Sequence, residues 1–276
     1  MRSARDRRKP ALILAFIVAL VVLGSAAGLA TSTFLGSPTT AKMAKEPATA
    51  SSPYDPDGFQ NVNGRMTYSE NGIVKSQVGI DVSEHQGYID WNAVAADGIQ
   101  FAFVRAGNRG STEGTIAADN YYTANLAGAK AAGLRVGVYF YSQATSVAEA
   151  QEEADFVLGL LGGESLELPI VFDHERDLSQ YARGNEVDRE TLTAAAVAFC
   201  ERVEAAGYTS MVYGNRSDMA RYDLSSLGNR NIWFAEYDAA YPSFNTTFSL
   251  WQYDNDGVVD GIDGSVDMDI LFTDAL

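Results

Sequence analysis

The residues most suited to chemistry are two acids at the end of an apolar stretch, Asp173 and Glu175 in Leu-Pro-Ile-Val-Phe-Asp-His-Glu (168–175). In a β-strand, both carboxylates would lie on one face, with Cα atoms roughly 6.5–7 Å apart. This spacing could divide acid and base roles across one glycosidic bond. Burying two acids without a purpose would be costly, so the pattern predicts a functional site. His174 would face the other way, which makes a metal site at 173–175 geometrically poor.

Two further acids are expected to converge on this pair. Asp81 ends the strand candidate Gly-Ile-Asp-Val-Ser, and Asp267 or Asp269 comes from the last strand candidate, Ser-Val-Asp-Met-Asp-Ile. The first and last strands are neighbours in a closed barrel, and barrel enzymes keep their active sites at the mouth that the strand ends form. Crowded carboxylates cannot all ionise, so one pKa should rise and leave a proton donor near neutrality. Asp81 could instead cap a turn.

Aromatic residues at the predicted strand ends are typical of a core and also of a sugar-binding cleft, where ring faces stack on pyranose rings. The expected substrate-binding residues are Tyr139, Tyr141, Tyr213, Tyr237, Trp251, Gln252 and Asp269. Trp233 and Tyr253 belong to the same aromatic group. His85 is expected in a turn or at the rim of the site, and Cys200 is expected to be a small core residue rather than a nucleophile.

An alternation of strand-like and helix-like segments would position these residues. Five short apolar runs predict buried parallel strands, at 78–83, 101–106, 135–142, 168–175 and 209–214. Helical spacing of apolar residues appears at 116–132, 147–161 and 188–206. One short helical stretch (217–222) and three more strand candidates follow, at 231–237, 249–253 and 267–272. This α/β pattern supplies eight strands, enough to close a barrel, and an open doubly wound sheet is the alternative.

The first 53 residues predict export. Five bases and one acid in residues 1–10 precede an uncharged run at 11–30, whose strongly apolar part, 11–23, suits a signal-peptide core. Small residues at 25–27 and 28–30 offer cleavage sites; uncut, the run is long enough for a single-pass anchor with its basic end inside. Residues 31–53 read as a flexible spacer and 54–77 as a short extension with a candidate hairpin. The domain at 78–276 would then be extracellular or at the cell surface.

Composition excludes several classes of function. A net charge of −16, from 36 acids and 20 bases, repels phosphate and argues against a nucleic-acid partner. One cysteine cannot form an intrachain disulfide, and two histidines do not favour a His-rich zinc site. We expect no metal and no cofactor, and nothing in the sequence requires more than a monomer.

The chain resembles glycoside hydrolase family 25, the Chalaropsis-type lysozymes or N-acetylmuramidases. The stretches that carry the resemblance follow the family order and include the segment 119–125. They are GIDVSEHQGYIDW (79–91), IQFAFVRAG (99–107), AKAAGLRVGVYFYSQA (129–144), LPIVFDHE (168–175), MVYGN (211–215), NIWFAEYD (231–238) and LWQYDNDGVVDGIDGSVDMDI (250–270).

This resemblance implies a modified (β/α) barrel with fewer than eight helices. It also implies hydrolysis of the β-1,4 bond between N-acetylmuramic acid and N-acetylglucosamine in peptidoglycan. By motif position, Glu175 is the general acid and Asp173 its partner, Asp81 belongs to the D-x-S motif, and Asp267 to the terminal V-D-x-[ND] motif. His174 departs from the aliphatic residue expected between the two acids, but catalysis should not depend on a side chain that faces away.

Two chemical routes and several rival functions stay open. After Glu175 protonates the glycosidic oxygen, Asp173 could orient the substrate's 2-acetamido group for attack with retention, which we favour, or Asp173 or Asp81 could activate water with inversion. A family 18 chitinase would need a D-x-x-D-x-D-x-E run that is missing, and a zinc amidase would need more ligands than two histidines offer. A non-catalytic cell-wall-binding protein on the same barrel is the alternative to an enzyme.

Overall fold

The computed structural model describes residues 52–274. The predicted signal peptide or anchor (1–30) lies outside the described residues, as does nearly all of the predicted spacer (31–53). The strands of the described part are β1 (Phe59–Val62), β2 (Arg65–Glu70), β3 (Ile73–Val74), β4 (Ser76–Val82), β5 (Phe101–Arg109), β6 (Ile116–Ala118), β7 (Arg135–Tyr141), β8 (Ile170–Asp173), β9 (Ser210–Asn215), β10 (Asn231–Ala235), β11 (Leu250–Gly257) and β12 (Val266–Phe272). The helices are α1 (Trp91–Ala96), α2 (Tyr122–Ala131), α3 (Val147–Leu161), α4 (Arg189–Ala205) and α5 (Arg216–Met219).

Eight of these strands form a closed barrel in chain order: β4, β5, β7, β8, β9, β10, β11 and β12. Neighbours from β4 to β11 are parallel, whereas β12 is antiparallel to both β11 and β4 and closes the ring. The predicted barrel is therefore confirmed, and the open doubly wound sheet is wrong because β4 pairs with β5 on one side and β12 on the other. Five helices in the described chain fit the expected modified barrel with fewer than eight.

The barrel strands are apolar on both faces, which explains their continuous hydrophobic runs. Inward side chains such as Phe101, Phe103 and Trp233 fill the barrel interior. Outward side chains such as Phe172 and Val212 join the larger core that includes α3 and α4. Because the two faces alternate along each strand, a residue's position in the strand fixes whether it can reach the mouth.

Helix boundaries follow local capping chemistry. The Ser146 side chain accepts a hydrogen bond from the Glu149 amide at the start of α3, and Gly162 ends α3 in the left-handed conformation at φ 58°. Asp188 caps α4 in the same way by accepting from the Thr191 amide. Within residues 52–274, no helix is long and apolar enough to cross a bilayer.

Two segments differ from what the sequence pattern indicates. Apolar spacing predicts one helix over 116–132, but Ile116–Ala118 pairs with β5 and α2 begins only at Tyr122. Asp119 turns the chain between them, because its buried carboxylate accepts from the Tyr121 amide and from the Arg105 guanidinium. Helix α1 was not predicted, since its six residues are too few to display a helical period.

A small antiparallel sheet, β1–β2–β3, precedes the barrel and packs against its outside. The Tyr54 ring stacks on Phe272 with centroids 3.7 Å apart, and Phe59 meets Trp251 edge-on at 5.6 Å. Tyr68 is 2% exposed and packs edge-on against Phe272 at 5.5 Å. No helix of the described chain lies between β10, β11 and β12, so these aromatic rings cover strand faces that a helix covers elsewhere in the barrel.

We expect Tyr68→Ala to lower the free energy of unfolding by roughly 3 kcal/mol, because it opens a cavity beneath the small sheet. Urea unfolding of the purified protein measures this change. The matched control is Val62→Ala on β1, which is 60% exposed and should cost less than about 0.5 kcal/mol. Equal, small effects of the two substitutions would show that the sheet does not contribute to the core.

Candidate active site

The strand ends at one end of the barrel enclose an open cavity of about 440 Å³. The parallel strands finish at this end and β12 begins there, so side chains from the whole ring meet. The lining residues are Asp81, Ser83, His85, Gln86, Arg105, Tyr139, Tyr141, Asp173, Glu175, Tyr213, Trp233, Tyr237, Gln252 and Asp267.

Strand β8 presents the Asp173 and Glu175 pair. Asp173 is the last residue of β8 and is 5% exposed, whereas Glu175 lies beyond the strand and is half-buried. The strand is thus shorter than the predicted 168–175. The two carboxyls lie close enough to influence each other's ionisation, and Asp173 Oδ1 has no hydrogen-bond partner among the described residues. Tyr141 and Tyr213 are the register partners of Asp173 on the neighbouring strands, so two phenol rings flank this pair.

Asp81 and Asp267 come from the seam that closes the barrel. They are direct register partners across β4 and β12, a pairing that places Cα atoms about 4.5–5.5 Å apart. Asp81 is 6% exposed, and Asp267 is half-buried. The antiparallel direction of β12 is what brings Asp267, at the start of its strand, level with Asp81, near the end of its own.

Gln252 links this seam to the aromatic side of the cavity. Its Nε2 donates to Asp81 Oδ2 at 2.6 Å, and its Oε1 accepts from the hydroxyls of Tyr213 at 2.8 Å and Tyr237 at 2.6 Å. Both ends of the amide are therefore engaged, which fixes its orientation in a buried position. Gln252 thereby holds one acid and two tyrosines in a defined arrangement.

Burial is the main cause of the electrostatic behaviour of the Asp173 and Glu175 pair. It raises the pKa of Asp173 well above its ordinary value, and the nearby Glu175 adds to the rise. Burial, followed by the charges of Asp218 and Asp267, raises the pKa of Glu175 to about 7. The two carboxyls titrate as a unit, so at neutral pH the pair retains a proton.

The pKa values of the two acids at the barrel seam, Asp81 and Asp267, are raised for the same physical reason. Burial raises the pKa of Asp81 well above its ordinary value, with further increases from Asp267 and Asp269, while the Gln252 hydrogen bond opposes the rise. Burial, followed by the charge of Asp254, raises the pKa of Asp267 to about 6. These shifts agree with the expectation that crowded carboxylates leave a proton donor near neutrality.

Arg105 is a cavity residue that the sequence reasoning missed. Its Nε donates to Asp119 at 2.7 Å and its Nη2 to Glu84 at 3.1 Å, which anchors the guanidinium in the wall. Its positive charge opposes the rise of the Asp173 pKa. The sequence contains a signal that could have identified Arg105, because it shares the inward face of β5 with Phe101 and Phe103. A charged residue on the inward face of an apolar strand must lie at the mouth of the barrel or be paired with an opposite charge.

Trp251 was expected to bind substrate, but it does not line the cavity. It is fully buried on the outer face of β11, where its Nε1 donates to the Glu236 carbonyl at 2.9 Å and its ring meets Phe59. Because side chains alternate along β11, the inward position of Gln252 places Trp251 outside the cavity.

Asp269 and the two histidines also have definite positions. Asp269 faces inward but lies below the cavity, fully buried, where it accepts a hydrogen bond from Trp233 Nε1 at 2.9 Å, so it cannot contact a ligand in the mouth. His85 lines the cavity, 3.4 Å from Arg105. His174 faces away from the acids, as alternation predicts, and its Nε2 lies 3.1 Å from the Ala144 carbonyl oxygen.

Comparison with known proteins identifies similar sequences and folds. The family model for glycosyl hydrolases family 25 matches residues 80–262. An autolytic lysozyme of Clostridium acetobutylicum is 29% identical over 191 residues, which is 69% of this chain and 54% of the relative. Lysozyme M1 of Streptomyces globisporus is 28% identical over 200 residues, 68% of this chain and 65% of the relative. This chain therefore spans only about half to two thirds of the length of these two relatives.

A solved structure has the same fold. The bacterial lysozyme from Streptomyces coelicolor superposes with a TM-score of 0.59 at 26% identity. The match covers 70% of this chain and 90% of that one.

We expect Asp269→Asn to stabilise the protein at neutral pH. Burial raises the pKa of Asp269 well above its ordinary value, so its contribution to stability is complete below about pH 4 and decreases as the pH rises. An asparagine amide can still accept from Trp233 but never ionises. The variant should exceed the wild type by about 1–3 kcal/mol in unfolding free energy at pH 7 and match it near pH 4.

Urea unfolding at several pH values checks this expectation. Asp260→Asn is the matched control, because Asp260 is exposed and its substitution should leave the pH dependence unchanged. A difference between Asp269→Asn and the wild type that is the same at pH 4 and pH 7 would contradict the proposed origin in ionisation.

Proposed function

Because the chain belongs to glycosyl hydrolase family 25, we propose that it is a lysozyme that cleaves the β-1,4 bond between N-acetylmuramic acid and N-acetylglucosamine in bacterial peptidoglycan. The observation that carries this proposal is the pair of neighbouring acids, Asp173 and Glu175, which line one open cavity together with Asp81 and Asp267. The names of the two matched relatives, both lysozymes, support the same substrate.

Glu175 acts in this proposal as the general acid. Its raised pKa of about 7 leaves a substantial protonated fraction at neutral pH, which matches what general acid catalysis requires. It is also the more exposed member of the pair, so it can reach a leaving-group oxygen in the cavity, whereas Asp173 is buried behind it. Glu175 gives its proton to the glycosidic oxygen as the bond from that oxygen to the anomeric carbon breaks.

Asp173 orients the substrate in this proposal and is not a nucleophile. Both acids come from the end of β8, two residues apart, and line one cavity. Acids placed side by side approach a sugar ring from one side, whereas a nucleophile attacks the face opposite the leaving group. Asp173 instead accepts a hydrogen bond from the substrate's acetamido N–H, and the acetamido oxygen attacks the anomeric carbon.

The second step regenerates the acid. Water attacks the anomeric carbon of the cyclic oxazolinium intermediate, the bond to the acetamido oxygen breaks, and the Glu175 carboxylate accepts the proton of that water. Asp267, whose pKa is raised only to about 6, lines the same cavity and contributes negative charge that favours the oxocarbenium-like transition state, with Asp81 beside it. Tyr139, Tyr141, Tyr213 and Tyr237 offer ring faces and hydroxyls to the sugars, while Gln252 holds two of these tyrosines in place.

We further propose that the protein acts outside the cell membrane as a monomer. Peptidoglycan lies outside the membrane, and the basic and apolar pattern of residues 1–30 predicts a signal peptide or a single-pass anchor. One copy of the chain supplies all four acids that the proposed mechanism places in the cavity, Asp81, Asp173, Glu175 and Asp267. Sequencing the N-terminus of the exported protein distinguishes cleavage from anchoring.

We expect Glu175→Gln to reduce the release of reducing ends from purified peptidoglycan by about 10²–10⁴-fold, because the amide cannot donate the catalytic proton. Binding to peptidoglycan should remain, since the substitution keeps the shape of the side chain. The matched control is Glu186→Gln, an exposed residue of the loop after β8, which should keep full activity. If the wild type binds peptidoglycan but releases no reducing ends, the protein is a wall-binding protein and the proposal fails.

Mass analysis and NMR of fresh products test the bond and the stereochemistry. The bond assignment predicts N-acetylmuramic acid at the new reducing end, and acetamido participation predicts that this sugar is released initially in the β configuration of the cleaved bond. N-acetylglucosamine at that end would contradict the bond assignment. An initial α anomer would contradict acetamido participation and favour activation of water by Asp173 or Asp81.

A further inference from the structure

Asp218 is a buried acid just outside the cavity that the proposed mechanism does not use. It lies on α5, directly after β9, and is 1% exposed. The glycine that precedes the helix permits this close packing, because a Cβ on Gly214 would lie only 2.9 Å from the Asp218 Cβ. Asn215 caps the helix by accepting from the Asp218 amide at 3.2 Å, which fixes the backbone that carries the acid.

Asp218 contacts the main chain directly after Glu175, the proposed general acid. Its Oδ1 accepts from the Arg176 amide at 3.3 Å, and Arg176 directly follows Glu175. The guanidinium of Arg221 lies 3.7 Å from the same oxygen and itself donates to the Gly184 carbonyl at 2.8 Å. The other oxygen, Oδ2, is buried and has no hydrogen-bond partner among the described residues.

Asp218 remains available as a negative charge. Burial raises its pKa, but the Arg176 amide and the Arg221 guanidinium both favour the anion and oppose the rise. Tyr222 is the other titratable group beside it, and burial keeps this phenol neutral by raising its pKa. The charge of Asp218 is only partly neutralised, because its contact with Arg221 is longer than a hydrogen bond.

The acids around Glu175 act in two directions on its ionisation: the charges of Asp218 and Asp267 raise its pKa, and Asp173 lowers it. The titratable groups near it, from six different parts of the fold, are Asp173, Asp218, Asp267, Tyr141, Tyr213 and Tyr237. Among the charges, Asp218 has the strongest effect on Glu175. Arg105, the cation in the cavity wall, acts on Asp173.

We propose that Asp218 is a positioning residue for Glu175, which fixes the peptide after Glu175 through Oδ1 and places a buried negative charge beside the Glu175 carboxyl. The inference rests on the proposed role of Glu175 as general acid. It assigns two separable actions to one side chain, since an amide in its place could maintain the hydrogen bond but not the charge.

The test is Asp218→Asn, compared with the wild type across the pH range. The asparagine oxygen can still accept from the Arg176 amide, so a purely structural role predicts an unchanged pH profile. Loss of the charge predicts that the alkaline limb of reducing-end release moves about 0.5–1 pH unit lower, with activity at pH 8 reduced about 3–10-fold relative to the optimum. Asp223→Asn is the matched control, because Asp223 is an exposed acid five residues away whose removal should not shift the limb.

A titration that does not need activity separates this inference from the proposed function. Carboxyl resonances of ¹³C-labelled glutamate in the whole protein, with Glu175 assigned by its loss in Glu175→Gln, report its titration directly. A midpoint lower in Asp218→Asn supports the inference, even if the protein releases no reducing ends. An unchanged midpoint overturns it, even if the protein is a lysozyme.

A second variant keeps the test available if Asp218→Asn leaves Arg221 unpaired and fails to fold. Asp218→Asn combined with Arg221→Gln removes both charges of the pair and so avoids a lone buried cation. Because the cation is removed together with the partly neutralised anion, the midpoint in the double variant should lie below that of the wild type, by less than in Asp218→Asn. A midpoint at the wild-type value in the double variant overturns the inference.

Discussion

Several carboxyl groups are held away from water at one end of a closed barrel, and the rest of the site depends on this constraint. Asp81, Asp173 and Asp269 are almost fully buried, and Glu175 and Asp267 are half-buried beside them. An exposed carboxylate is stabilised by water, but these carboxyls are held away from it. Burial is therefore the largest cause of the pKa increase at each of them. Protons therefore stay in the cavity at a pH where isolated acids would have lost them.

The direction of the last strand produces this crowding. If β12 were parallel to β4, the start of β12 would lie at the opposite end of the barrel from the end of β4. The antiparallel pairing instead sets Asp267 against Asp81 and places Asp269 one layer below. Gln252 on the adjacent β11 then stabilises the arrangement, since its amide donates to Asp81 and accepts from two tyrosines. Strand β12 thus closes the barrel and also contributes two acids, Asp267 and Asp269.

Sequence reasoning succeeded where a strand period decided the answer. Alternation along β8 predicted an inward Asp173 and an outward His174, and eight strand candidates predicted the barrel. Predictions from the sequence were wrong where tertiary contacts determine the local structure. Residues 116–118 carry no local signal against a helix, yet their pairing with β5 overrides that preference. Trp251 was assigned by residue type, although the inward Gln252 beside it already determined its face. Asp218 could not be found, because a four-residue helix has no visible period and its relation to Glu175 exists only in the folded chain.

The two acids of the central pair differ in their surroundings, and this difference gives them separate roles. Arg105 lies in the wall beside Asp173 and opposes its protonation, whereas no cation is among the charges that act most on Glu175. Both acids line the cavity, but Asp173 is only 5% exposed. Glu175 lies beyond the end of β8 and is half-buried, so its side chain is the more accessible of the two. In the proposed mechanism the proton therefore leaves from Glu175, and Arg105 stabilises negative charge on the Asp173 side of the pair.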